Sequence, residues 1–156
     1  MKINIGIPEK NCNEIGSLLN MLLCDEYVLY TKTLNYHWNV TGVGFHDLHA
    51  LFKEQYELLF TIVDEVAERA RTLGVISFGS LAEFKQHTRL KEEPGKVPQA
   101  LDMIRNLLVD HETIIHQLRH DIEQCTQLGD VGTNNFLTDL LEQHEKIAWM
   151  LRATAT

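Results

Sequence analysis

The chain has 156 residues, 44% hydrophobic and 23% charged, enough apolar material for a sizeable core without metal or disulfide staples, and a balance that excludes extensive disorder. Its 14 Lys and Arg against 22 Asp and Glu leave a formal charge of -8, which attracts cations and disfavours a general nucleic-acid surface. Three cysteines, Cys12, Cys24 and Cys125, without a Cys-x-x-Cys pair argue against a closed disulfide framework, and no run approaches the roughly 18 apolar residues of a membrane helix.

Met1 to Pro8 lacks the unbroken apolar core of a signal peptide, so the sequence reads as one cytoplasmic domain over residues 1–156. Asn11 with Glu14 has the form of a capping box, and Ile15, Leu18, Leu19, Leu22, Leu23, Leu29 and Leu34 recur at helical spacing. These predict a first helix over residues 11–39. Val40 to Gly44 is a short glycine-rich turn, after which Leu48, Leu51, Phe52, Leu58, Leu59, Ile62, Val63 and Val66 predict a second helix over 45–73, ended by Gly74. The segment 75–96 is a long connection holding a short crossing helix capped by Ser80. Pro98 fits the first turn of a third helix over 97–128, and Asp130 or Thr133 can cap a fourth over 131–153. No stretch shows the period-two alternation of a strand. The expected fold is all-α: a four-helix bundle of two helical pairs, with a short extra helix in the long crossover.

The chemistry gathers on the second helix and the turn before it. His37 and His49 flank the turn, and antiparallel packing of the first two helices brings them together at one end of the bundle. Asp64 and Glu68 stand four residues apart, one helical turn, and so share a face. Nitrogen and oxygen donors of this kind suit iron, zinc or manganese. His49 and Asp64 are 15 residues apart on one helix, about 22 Å of rise, so one chain cannot close the site. If the second helix packs antiparallel on its own copy, with a two-fold axis near Glu57 and Leu58, His49 of one chain meets Asp64 and Glu68 of the other, and each dimer holds two identical sites. Taken alone, each element has a plainer use: a histidine near a helix end caps or packs, an Asp-x-x-x-Glu pair is a solvated face, and Trp38 is core.

The order and content of the motifs go further. His37-Trp38-Asn39-Val40-Thr41-Gly42, then Phe45-x-x-Leu48-His49-x-x-Phe52, then Asp64-Glu65-Val66-Ala67-Glu68-Arg69-x-x-x-Leu73-Gly74 closely resembles the Dps family, the mini-ferritins of bacteria and archaea. A weaker match runs through Ser77 to Phe84, Gly129 to Thr133 and Ile147 to Met150, while the absence of any Glu-x-x-His makes larger ferritins a poorer fit.

The resemblance implies a ferritin-like bundle and a hollow homo-dodecamer with ferroxidase sites at two-fold interfaces. There Fe(II) is oxidised, preferentially by hydrogen peroxide, and stored as ferric mineral, which protects against oxidative stress. It implies His37 and His49 as iron ligands from one subunit, Asp64 and Glu68 from its neighbour with Glu68 bridging, up to two irons per site, and Trp38 beside the iron as electron donor. Lys53 stands where many members are acidic, which implies one tighter and one weaker iron; Asn135 departs likewise in a pore-lining segment, where Asp130 is a pore candidate as well as a helix cap. Some members bind DNA through lysine-rich tails. Here only Lys2 and Lys10 precede the first helix and Arg152 to Thr156 close the chain, so DNA binding is expected to be weak or absent. His111, His116, His120 and His144 read as surface histidines.

Overall fold

The computed structural model describes residues 3–155; Lys2 and Thr156, which entered the reading of the tails, lie outside the described residues. Among these residues there are five helices and no strand: α1 (Glu9–Asn39), α2 (Phe45–Thr72), α3 (Leu81–His87), α4 (Ala100–Gln127) and α5 (Val131–Thr154). Helix α1 packs chiefly on α2 and α4 on α5, with α3 lying in the crossover against α1. None of the helices is long and apolar enough to cross a membrane.

The buried stripe of α2, Leu48, Phe52, Leu59, Ile62, Val66 and Ala70, follows the three-to-four-residue spacing that places side chains on one helical face. It meets Ile15, Leu19, Leu22, Leu23 and Leu29 of α1 and Leu107, Ile114 and Leu118 of α4 in one core. Each such side chain contributes about 1.5–3 kcal/mol when fully withdrawn from water. The three thiols are buried and unpaired. Burial pushes the Cys24 thiol up to about 11 and Cys125 up to about 12, so neither is a reactive thiolate near neutrality.

Two helix starts depart from the sequence reading. Helix α1 starts at Glu9 with Pro8 as its cap, the first bond running from Cys12 N–H to Pro8 C=O at 3.0 Å. Asn11 is therefore inside the helix and does not cap it; its amide donates to the Leu128 carbonyl at 2.9 Å, at the end of α4 where carbonyls lack intrahelical donors. Helix α4 starts at Ala100, because Gln99 is extended and its carbonyl accepts the first bond from Met103, so Pro98 precedes the helix rather than opening it. Ser80 caps α3 in a capping box with Glu83. Gly74 adopts φ +83°, a left-handed conformation that turns the chain out of α2.

Two polar residues of α1 fix the crossover. Asn20 donates to the Ile76 carbonyl at 2.9 Å and accepts from Phe78 N–H at 3.0 Å. Asp25, fully buried, accepts from the Thr88 hydroxyl at 2.9 Å and from Arg89 N–H and Nε at 2.6 Å each. Where Val75 comes down on α1 there is room for no side chain at Gly16: a Cβ there would lie 2.3 Å from Val75 Cγ2. Gly16→Ala is expected to destabilise the fold by about 1–3 kcal/mol despite the better helix propensity of alanine, measured by chemical denaturation.

Candidate metal centre

The last turn of α1 ends where Val40 N–H reaches the Tyr36 carbonyl at 2.9 Å, and Gly42 and Gly44, at φ +96° and +79°, reverse the chain into α2. The reversal brings His37 and His49 face to face, with ring centroids 3.8 Å apart. His37 Nδ1–H donates to the His49 carbonyl at 2.8 Å, and His49 Nδ1–H donates to the His37 carbonyl at 2.9 Å. A carbonyl only accepts, so both Nδ1 atoms carry a proton, and in the neutral rings each Nε2 keeps a lone pair. This fixes tautomer and ring orientation, as an outer hydrogen bond does for a metal-ligating imidazole.

Two aromatic side chains to which the sequence reading gave no part in the site frame the pair. Phe45 stacks on His49 at 5.1 Å between centroids, and Tyr56 meets His37 edge-on at 5.2 Å. Their signal was present: Phe45, His49 and Tyr56 follow the four- and seven-residue spacing of one helical face.

Asp64 and Glu68 are exposed at the far end of α2, and Glu68 opens onto a shallow groove with Glu65, Arg69 and Asp139. Among the described residues no three His, Cys, Asp or Glu side chains of the single chain form a ready metal cluster. The chain thus brings His37 and His49 together and leaves Asp64 and Glu68 apart from them. Lys53, one turn beyond His49, has its ammonium 3.7 Å from Glu57 Oε1, both side chains being exposed. Trp38, which taken alone reads as core, is 68% exposed beside His37.

Asp130 is buried and faces its own chain. It accepts from Thr133 N–H at 2.9 Å as the cap of α5, bonds the Thr133 hydroxyl, and pairs with Arg69 at 3.1 Å, so within the chain its carboxylate serves the cap and the pair. Burial pushes this carboxyl up, but the Thr133 donors and the Arg69 guanidinium outweigh it and hold the group below its ordinary value. A depressed folded-state pKa stabilises above the unfolded value of 3.8, and that stability is lost as pH falls through the folded pKa. Asp130→Ala is expected to cost about 2–4 kcal/mol at neutral pH, by loss of the cap and the pair, and less at pH 3. Urea denaturation at the two pH values measures the difference.

The surface reading of the four later histidines holds for His116 and His120 and fails for the other two: His111 and His144 are fully buried. They occupy the apolar stripes of α4 and α5, beside Leu107 and Ile114 and beside Leu140 and Ile147. A further groove lies between α1, the crossover and α4, and three of its bases are already paired: Lys32 with Asp110 at 2.5 Å, Arg89 with Asp25 at 2.5 Å and Lys96 with Glu93 at 2.8 Å.

Comparison with known proteins fits this arrangement. The ferritin-like domain family matches residues 16–156. An uncharacterised low temperature-induced protein of Nostoc sp. is 46% identical over 153 residues, covering 97% of this chain and 86% of that protein. DNA protection during starvation protein 2 of Bacillus anthracis is 31% identical, over 90% of this chain and 95% of its own. The crystal structure of a Dps protein from Vibrio cholerae, described as one of the ferritin-like diiron-carboxylate proteins, superposes with a TM-score of 0.94 at 31% identity, covering 100% of this chain and 98% of that one. With the two paired helices, the long crossover and the His37–His49 pair, these matches show that the chain belongs to the Dps family of ferritin-like proteins.

Proposed function

We propose that this protein is a cytoplasmic ferroxidase that stores iron, assembling as a hollow dodecamer with its reaction sites at two-fold interfaces. The reciprocal hydrogen bonding of His37 and His49 carries the reading, because it leaves two oriented imidazole lone pairs at the edge of the chain with too few further ligands nearby. Asp64 and Glu68 of a neighbouring subunit complete the site, Glu68 as the bridging carboxylate, and both are exposed and so available to a partner. Iron is the substrate here. Each Fe(II) gives one electron and hydrogen peroxide accepts two, its O–O bond breaking to form water as protons are taken up. The acidic shell favours Fe(II) entering and ferric mineral remaining. Where a site holds a single Fe(II), Trp38, exposed beside His37, gives the second electron that peroxide needs and is itself oxidised by one electron.

Anaerobic addition of Fe(II) followed by peroxide is the test, with ferric absorbance followed while peroxide is counted. About two Fe(II) oxidised per peroxide is the expected result; slow oxidation at the rate of free Fe(II) would refute the reading. DNA protection, the role in the name of the Bacillus anthracis relative, is the second reading. Against it stands the -8 charge, which is expected to leave duplex DNA unshifted in a mobility assay at physiological salt.

A further inference from the structure

The middle of the bundle holds a polar cluster that the intersubunit site does not use. Glu26 of α1, His111 of α4 and His144 of α5 are each fully buried. The Nδ1 atoms of the two histidines are 2.8 Å apart, so one proton lies between them. On its other side, His144 Nε2 lies 2.9 Å from Glu26 Oε1. That approach is not a hydrogen bond: both atoms are buried without a hydrogen-bond partner, as are Glu26 Oε2 and His111 Nε2. No lysine or arginine pairs with Glu26 among the described residues. A carboxylate so placed costs several kcal/mol unless a cation or a proton answers it.

We propose that the bundle interior is a binding site for one divalent transition-metal ion of the Zn(II) or Fe(II) class, held by Glu26 and His144 and oriented by His111. With the shared proton on His144 Nδ1, its Nε2 is a bare lone pair beside the carboxylate oxygen. Two lone pairs at that distance repel unless something positive lies between them. A proton would have to lie close to the line joining the atoms, and the ring is not turned to put it there. A metal lies off that line, and adjacent ligands with bonds of about 2.0–2.2 Å stand about 2.9–3.5 Å apart. His111 then plays the outer part, fixing the tautomer of the ligand. Gln55 of α2 is buried with both amide atoms unpartnered. The register set by His37 and His49 puts it less than two helical turns along the axis from Glu26. The chain has no Glu-x-x-His, so this set of donors is not the carboxylate-rich pattern of bundle-centred di-iron proteins.

The site has no exposure, so the metal is supplied during folding. Protein expressed in zinc-supplemented medium in a His37→Ala/Asp64→Ala background is treated with chelator and analysed for metal, which separates this site from the intersubunit one. One zinc per chain is expected to survive, to give an anomalous-scattering peak between Glu26 and His144 in crystals, and to disappear in Glu26→Gln. Absence of retained zinc, undiminished zinc in Glu26→Gln, or a peak elsewhere, such as at His116 and His120, would overturn the proposal. If Glu26→Gln does not fold, the anomalous map of the parent decides.

Discussion

Replacing His37 and Asp64 with alanine is expected to slow peroxide-driven Fe(II) oxidation by at least about a hundredfold while leaving the shell assembled. The magnitude follows from what is removed. Loss of an outer hydrogen-bonding partner of a ligand already costs 10–100-fold in many metal sites, and here one ligand is lost from each side of the site. The fold is expected to survive because Asp64 is exposed and makes no contact on which the bundle depends. His37 is different: it is buried, and its ring supports His49 through stacking and through the bond to the His49 carbonyl. Stopped-flow absorbance gives the rate, and sedimentation shows whether the assembly is intact. Unchanged oxidation in an intact shell would remove these residues from the chemistry.

The second large effect is at Lys53. An ammonium one turn from His49 repels a second cation, and its weak hold on Glu57, at 3.7 Å between exposed groups, does not neutralise it. The wild type is therefore expected to bind one iron tightly and one weakly at each site. Lys53→Asp reverses the charge and adds an oxygen donor, and is expected to tighten the second iron about 10–100-fold. Lys53→Met, which removes the charge without adding a ligand, is expected to fall between them. Anaerobic Fe(II) titration by calorimetry distinguishes the cases, and two equally tight irons in the wild type would contradict the role given to Lys53.

Helical spacing made the four long helices legible, because their cores are single apolar stripes: Leu107, Ile114 and Leu118 on α4, or Leu137, Leu140 and Leu151 on α5. Glycines marked the ends of α2 and α4, where Gly74 and Gly129 take positive φ. Starts were harder. Asn11 and Pro98 each have a residue type suited to a helix start, but backbone conformation placed the caps at Pro8 and Gln99. The His37–His49 pair was legible from the turn between them. Its hydrogen bonding was not, since that depends on main-chain carbonyls, to which residue type gives no clue.

The buried histidines were missed for an instructive reason. His111 and His144 sit at the spacing of their neighbours' apolar stripes, and so does Glu26 between Leu22 and Leu29. Reading polar type before position sends such residues to the surface. Reading position first puts them in the core, where a polar group needs a partner.

The central claim is that each site takes its histidines from one subunit and its carboxylates from another. Shells assembled from equal amounts of a His37→Ala/His49→Ala chain and an Asp64→Ala/Glu68→Ala chain test it directly. Each variant alone is expected to be inactive. In mixed shells about half of the two-fold interfaces pair unlike chains, and each of these has one intact site of its two, so about a quarter of the wild-type fast oxidation is expected to return. Mixed shells as inactive as either parent would contradict the shared site.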